Sequence, residues 1–120
     1  MKIIAEAISL SELRMLACDR FGYLVKAVVD ISRSVMAIDG ELHADLEAML
    51  LEDGSQQEDV WGINLFPELA GDDRIEFDSL INLRPSAGNR TRGVEDVRIQ
   101  EQIRKVIHRL VIEDMLPQAI

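Results

Sequence analysis

The sequence predicts an α+β fold, in which an antiparallel sheet of about four to six strands is covered on one face by two helices. Apolar residues recur with helical spacing near each end of the chain, over about residues 9–21 and 96–116. Short β-branched or alternating segments lie between these helices. Their connections are short, which is typical of antiparallel neighbours and indicates a β-meander.

The composition is that of an acidic globular protein. Hydrophobic residues make up 48% of the chain and the formal net charge is −9. We expect a single domain over residues 1–120. The negative field disfavours nucleic acid and anionic membranes as partners, and no apolar run approaches the ~18 residues of a membrane span. A cytoplasmic protein is expected, because the N-terminus carries acid too early for a signal peptide and a single cysteine cannot form an intrachain disulfide.

The N-terminal part predicts a strand followed by a helix. Residues 2–8 are short and apolar-rich, and the helix begins at Ser9. Ser9 and Glu12 have the spacing of a capping box, in which each side chain satisfies the other's backbone N–H. Gly22 can end the helix, since it adopts a left-handed conformation without strain. Cys18 lies within the helical pattern and is predicted to be a buried small side chain.

Two strands are predicted next, at residues 25–31 and 34–38. Asp39–Gly40 follows them and is typical of a tight hairpin turn, in which both central residues need positive φ. Residues 41–51 then alternate strictly between apolar and polar, which favours a further strand that is buried on one face.

A helix is the alternative for residues 42–51. Its composition favours helix, and helical spacing is present at Leu42, Leu46, Met49 and Leu50. The preceding turn signal and the length of the alternation favour the strand.

The second half of the chain predicts two more strands and the last helix. The strands are residues 60–66, which include Trp61, and residues 74–83, which alternate again. Asp96 can cap the helix. Its inward stripe consists of Ile99, Ile103, Val106, Ile107 and Leu110. Pro117 prevents continuation much beyond Met115.

Several segments carry a resemblance to a known family. They are KAVVD at 26–30, ELHADLE at 41–47, LLEDGS at 50–55 with Gln57, WGIN at 61–64, and EFDSLINLRP at 76–85 followed by Gly88, Asn89 and Arg90. With them, nearly the whole chain resembles a family of small uncharacterised prokaryotic proteins that is classed only as a domain of unknown function. The resemblance implies no activity, cofactor or catalytic residue.

The first candidate site is His43, Asp45 and Glu47. On a strand, these residues project from one face about 7 Å apart in succession. On a helix, His43 and Glu47 still lie one turn apart. A histidine with carboxylates suits a divalent metal such as Zn²⁺, Mn²⁺ or Fe²⁺, and the same groups could perform acid–base chemistry. The alternative interpretation is a solvated polar face.

The second candidate site is the loop that contains Arg84, Asn89, Arg90 and Arg92. Its arginines form a positive patch just before the last helix, a position that favours anions. Arg90 could clamp a phosphate or carboxylate in a bidentate pair. In the alternative interpretation, the arginines pair with the protein's own acids. Trp61 is similarly interpreted as a core residue or as an anchor for a partner.

We predict a protein-interaction or structural module without catalytic activity. A homodimer is the simplest partner, because an open sheet face or edge needs cover. The alternatives are a metal-binding protein or metal-dependent hydrolase at His43, Asp45 and Glu47, and small-anion binding at the Arg84–Arg92 loop. A divalent metal is the one cofactor considered, and no catalytic residue is predicted, because no nucleophile is paired with a base.

Overall fold

The computed structural model describes residues 1–114. The strands are β1 (Lys2–Ile4), β2 (Ile8–Ser9), β3 (Val25–Asp30), β4 (Val35–Ile38), β5 (Val60–Leu65), β6 (Ile75–Glu76) and β7 (Val111–Ile112). The helices are α1 (Leu10–Arg20), α2 (His43–Glu52) and α3 (Val97–Leu110). Five strands form an antiparallel sheet in the order β1-β4-β3-β5-β6, and β2 pairs in parallel with β7. The predicted α+β class is confirmed.

The central strand β3 fixes the register of the sheet. Val25 lies opposite Leu65 in β5, and Asp30 lies opposite Val35 in β4. β3 pairs with β4 on one side and with β5 on the other, and β6 pairs with the far side of β5. β1 joins at the edge away from β6, where it pairs antiparallel with β4 and Ile3 lies opposite Ala37.

Helices cover both faces of the sheet. Helices α1 and α3 pack on one face, as predicted, against residues such as Ala27, Val29 and Ile63. Helix α2 packs on the other face, against Val28 and Ala37. The second face, which was expected to be partly open, is therefore covered. Burial on both faces explains why the central strands read as continuous apolar runs.

The strand predicted at residues 41–51 is wrong, and the helical alternative is correct. Leu46 and Leu50, one turn apart, are fully buried beneath the sheet. Asp39 has a φ of 65°, but Gly40 does not share a positive φ, so no hairpin forms. Gly40 is instead needed for close packing, because a Cβ there would lie 2.9 Å from Leu46 Cδ2.

The strand predicted at residues 74–83 is largely wrong. Only Ile75 and Glu76 pair with β5, and a 3₁₀ turn follows at Leu80–Asn82. The alternation arises from an extended segment that leaves the sheet after Glu76.

Helices α1 and α3 lie at the predicted positions, but α3 is shorter than predicted at its C-terminal end. The Ser9 side chain accepts a hydrogen bond from the Glu12 N–H, and Asp96 caps α3. Helix α3 ends at Leu110, before the predicted 116, because Val111 becomes extended and pairs with Ile8. The predicted limit at Met115 and Pro117 lies outside the described residues.

The prediction that Cys18 is buried is wrong, because its side of α1 faces solvent. The buried residues of α1 are Leu10, Leu13 and Ala17. Within residues 1–114, none of the helices combines the length and the apolar character that a membrane span requires.

Candidate functional site

A groove of about 830 Å³ lies between α2, the turn at Leu80–Asn82, a second 3₁₀ turn at Pro85–Ala87, and the start of α3. Its apolar surface includes Trp61, Leu80, Leu83 and Ile99. Its carboxylates are Glu47, Glu58, Glu95 and Asp96. We call this surface the acidic groove. Its volume is in the range of about 300–1,000 Å³ that is usual for ligand sites.

Asn82 fixes one wall of the acidic groove by acting in place of a neighbouring strand. Its side-chain Oδ1 accepts a hydrogen bond from the Gly62 N–H at 2.8 Å, and its Nδ2 donates to the Gly62 carbonyl oxygen at 2.9 Å. Gly62 is required at this contact, because a Cβ there would lie 2.5 Å from the Cβ of Ser79. The amide of Asn82 thus makes the two hydrogen bonds that a neighbouring strand would otherwise make with β5 at Gly62.

A second buried amide, that of Asn89, holds the rest of the loop. Its Nδ2 donates to the carbonyl oxygens of Asn82 and Gly93, at 2.7 and 2.8 Å. Its Oδ1 accepts from the N–H of Glu95 at 2.9 Å. The wall is therefore ordered before any partner arrives, which lowers the entropic cost of binding.

Arg84 is a structural clamp on the same wall. Its guanidinium donates to the carbonyl oxygens of Ile81, Gln57 and Val60, and it lies over the Trp61 ring at 4.6 Å from the centroid. Burial lowers the pKa of the Arg84 guanidinium, and the nearby Glu47 carboxylate opposes that shift. Since arginine stays charged in proteins, Arg84 remains a cation, but most of its donors are already used.

Trp61 is 5% exposed and packs in the core, as one of its two interpretations predicts. It is the sole tryptophan of the chain. Its indole Nε1–H has no hydrogen-bond partner within residues 1–114. A buried donor without a partner costs about 1–3 kcal/mol. An unused donor therefore lies in a residue that lines the acidic groove.

Two exposed leucines extend the apolar surface of the groove. The exposed fraction is 65% for Leu80 and 44% for Leu83. Single exposed apolar side chains are ordinary, whereas a cluster beside a cavity indicates a contact surface. Leu80 also lines a smaller neighbouring cavity with Leu42, which is 56% exposed. Sequence reasoning missed this surface because it assigned Leu80 and Leu83 to a strand.

The structure does not bring His43, Asp45 and Glu47 together as ligands. His43 is buried at the start of α2, with Nε2 2.8 Å from the Ile63 carbonyl oxygen. Because a carbonyl only accepts, Nε2 must carry the proton. Burial lowers the pKa of the His43 imidazole. Asp45 is exposed, and Glu47 accepts a hydrogen bond from Gln57 at 2.7 Å.

Metal binding at these three residues stays a prediction. Across the described part of the chain, no group of three or more His, Cys, Asp or Glu side chains is arranged to hold a metal ion. The neighbouring acids also have partners of their own. Asp78 pairs with Arg92 at 2.7 Å, and Asp30 accepts hydrogen bonds from Ser32, Arg33 and Ser55.

The arginine loop is largely paired with the protein itself. Arg92 pairs with the Asp78 carboxylate at 2.7 Å, as the alternative interpretation predicts, whereas Arg84 mainly contacts backbone carbonyls and lies 3.7 Å from Glu47. Asn89 is buried and bonds the loop backbone. Arg90 is exposed, and its backbone N–H donates to Glu95. Anion binding at this loop stays a prediction.

The comparisons with known proteins identify a family. The model of the family DUF5674, described as a protein of unknown function, matches residues 2–110. No curated protein and no solved structure matches the chain. The family match covers the sheet, all three helices and every residue named above for the acidic groove. The chain therefore belongs to DUF5674, a family of proteins of unknown function.

Proposed function

We propose that this protein is a binding module, without catalytic activity of its own, that holds a positively charged protein segment in the acidic groove. The observation that carries the proposal is a cavity in which two exposed leucines, Leu80 and Leu83, lie among four carboxylates. The proposal commits to a segment in which basic residues flank an apolar side chain.

The apolar side chain of the partner would contact Leu80 and Leu83. Burying a Leu-sized side chain contributes about 1.5–3 kcal/mol. Trp61 supports this apolar surface from the core side and reports on its occupancy through its fluorescence.

The basic residues of the partner would meet the carboxylates of the groove. Within residues 1–114, Arg84 is the single cation that lines the acidic groove, and its guanidinium is bonded to backbone carbonyls. The net charge of −9 adds a long-range attraction for cations. Two copies of this groove would repel each other, so the predicted homodimer is not the arrangement proposed for this surface.

Short synthetic peptides of equal length test the proposal. One contains lysines and arginines around a leucine, a second has glutamates in place of the basic residues, and a third has serine in place of leucine. We expect the first peptide to bind and to change the fluorescence of Trp61. Its affinity should fall as the salt concentration rises. Equal binding of the basic and acidic peptides would reject the proposal.

A matched pair of variants locates the peptide. Leu83→Ser should weaken binding of the basic peptide about tenfold. Leu69→Ser is the control, because Leu69 is 47% exposed, against 44% for Leu83, and does not line the groove. If both variants bind the peptide equally well, the acidic groove is not its site. Light scattering of the complex then distinguishes one bound peptide from an assembly of several copies of the protein.

A further inference from the structure

A second cavity, of about 520 Å³, lies between the last two turns of α3 and a 3₁₀ turn at Gly71–Arg74. The side chains that can carry positive charge there are Arg74, Arg104, Lys105, His108 and Arg109. Within residues 1–114, Asp72 is the single carboxylate that lines it. We call this surface the basic cleft. A concentration of cations is an exception in a chain whose net charge is −9.

Two of these arginines are held in place without being fully neutralised. Arg109 donates to the Ser34 side chain and to the carbonyl oxygens of Ala5 and Ser34. Arg74 donates to the Leu69 carbonyl oxygen at 2.8 Å. Neutral acceptors fix a guanidinium but leave its charge. Arg74 has one acidic neighbour, Glu113 at 3.4 Å, whose side chain is 73% exposed.

Arg104 lines the cleft, but its guanidinium is already paired with the carboxylates of Asp72 and Glu101. Its Nε is buried and has no hydrogen-bond partner within residues 1–114. Asp72 Oδ1 lies 3.4 Å away, which is an ion-pair distance, but the N–H does not point at it with hydrogen-bond geometry. The rest of the guanidinium contacts Glu101 and lies 5.4 Å from the centroid of the Phe77 ring.

The floor of the cleft is apolar. Ile75 and Ile107 line it, and Ile107 is 3% exposed. Lys105 and His108 stand exposed at the rim. A fully hydrated inorganic ion would gain nothing from this floor, whereas an organic anion can bury an apolar body against it.

The helix dipole does not assist an anion here. The cleft lies at the C-terminal half of α3, where the partial charge is negative and stabilises the cations of the protein itself. Attraction must therefore come from the side chains. Removal of a single exposed cation should consequently have a clear effect on binding.

We infer that the basic cleft binds a small organic anion, with a phosphate or carboxylate group against Lys105 and Arg109, which lie one turn apart on α3, and an apolar body against Ile75 and Ile107. This site is separate from the acidic groove, so its failure and that of the proposed function can be told apart.

Calorimetric titration with four probes tests the inference. Phenyl phosphate and phenylacetate carry both the charge and the apolar body, inorganic phosphate lacks the body, and phenylacetamide lacks the charge. We expect measurable binding of the first or the second probe, according to the anionic group preferred, and at least about tenfold weaker binding of the other two. Equal affinity for inorganic phosphate, or for the neutral amide, would overturn the inference.

Matched charge variants on α3 locate the anion. Lys105→Gln and Arg98→Gln each remove one exposed positive charge, but the Arg98 side chain, 92% exposed, does not line the cleft. We expect Lys105→Gln to weaken binding of the preferred probe about tenfold and Arg98→Gln to leave it unchanged. An equal loss in both variants would show general charge attraction and reject the site. Leu83→Ser should have no effect, and a loss in that variant would also reject it.

Discussion

The acidic groove and the basic cleft share one helix but present opposite charge. Asp96 and Ile99 at the start of α3 line the groove, whereas Arg104 and Lys105 in its later turns line the cleft. Acid at a helix N-terminus and base near its C-terminus each gain about 0.3–1 kcal/mol from the dipole. A carboxylate at the start of α3 and cations in its later turns therefore stabilise the helix. The same distribution of charge gives the two ends of the helix surfaces of opposite sign.

The two surfaces also differ in how their walls are held. Buried amides of Asn82 and Asn89 fix the wall of the acidic groove. Exposed or half-buried cations on helix α3 form much of the wall of the basic cleft. Loss of an amide should therefore damage the groove more than the cleft, and the first of three predictions tests this difference.

The largest effect is expected for Asn82→Ala. Asn82 is fully buried and its amide satisfies both polar groups of Gly62. Without it, two buried backbone groups lose their partners, so the free energy of unfolding should fall by about 2–4 kcal/mol. Urea denaturation measures the change, with exposed Gln102→Ala on α3 as the control. Binding of the basic peptide should weaken more than binding of the anion probe, and an equal loss at both surfaces would contradict the difference described here.

A smaller effect is expected from reversing one charge of the groove. Glu58→Lys should slow association of the basic peptide about three- to tenfold at low salt, because attraction between the partners guides their encounter. Asp19→Lys makes the same reversal on the exposed surface of α1 and should change the rate less. Stopped-flow Trp61 fluorescence measures both rates. Identical slowing in the two variants would mean that net charge alone, and not the groove, attracts the peptide.

The smallest effect concerns the pH dependence of stability that His43 contributes. Burial lowers the pKa of His43 below its ordinary value of 6.5 in the folded protein. The unfolded chain therefore binds the proton more readily, and the contribution of neutral His43 is complete above about pH 6.5 and is lost as the pH falls below it. The wild type should lose stability between about pH 7 and pH 5, and His43→Gln should lose less over that range.

Urea denaturation at several pH values checks this third prediction. Gln102→Ala is the control, because Gln102 is exposed on α3 and carries no titratable group. The control should keep the pH dependence of the wild type. If His43→Gln keeps it as well, the imidazole of His43 is not the group responsible.

Features that depend on neighbouring residues could be predicted from the sequence. The Ser9 cap, the Asp96 cap and the apolar stripe of α3 are confirmed, since each is decided within one or two turns of helix. Helix α2 was mistaken for a strand because its alternating pattern also satisfies helical spacing. The choice between them depended on the sheet face that Leu46 and Leu50 cover, which local sequence does not reveal.

The candidate site was less predictable, because its contacts are not local. Asn82 reaches Gly62 across 20 residues, and Arg84 reaches Val60 across 24. The close approach of Gly62 to Ser79 likewise joins two segments whose contact the local sequence does not reveal. His43, which the sequence offered as a candidate metal ligand, faces the Ile63 carbonyl oxygen because α2 lies against β5.

The pairing of β2 with β7 has a consequence for synthesis of the chain. Ile8 lies beside Val111, and the N–H and side chain of Ser11 bond the carboxylate of Asp114, 103 residues away. Helix α1 leaves the ribosome early, but these partners for its first turn are made almost a hundred residues later. Contacts so distant in sequence also form slowly in folding. Helix α1 is therefore translated before α2 and α3 but is among the last elements to acquire its full set of native contacts.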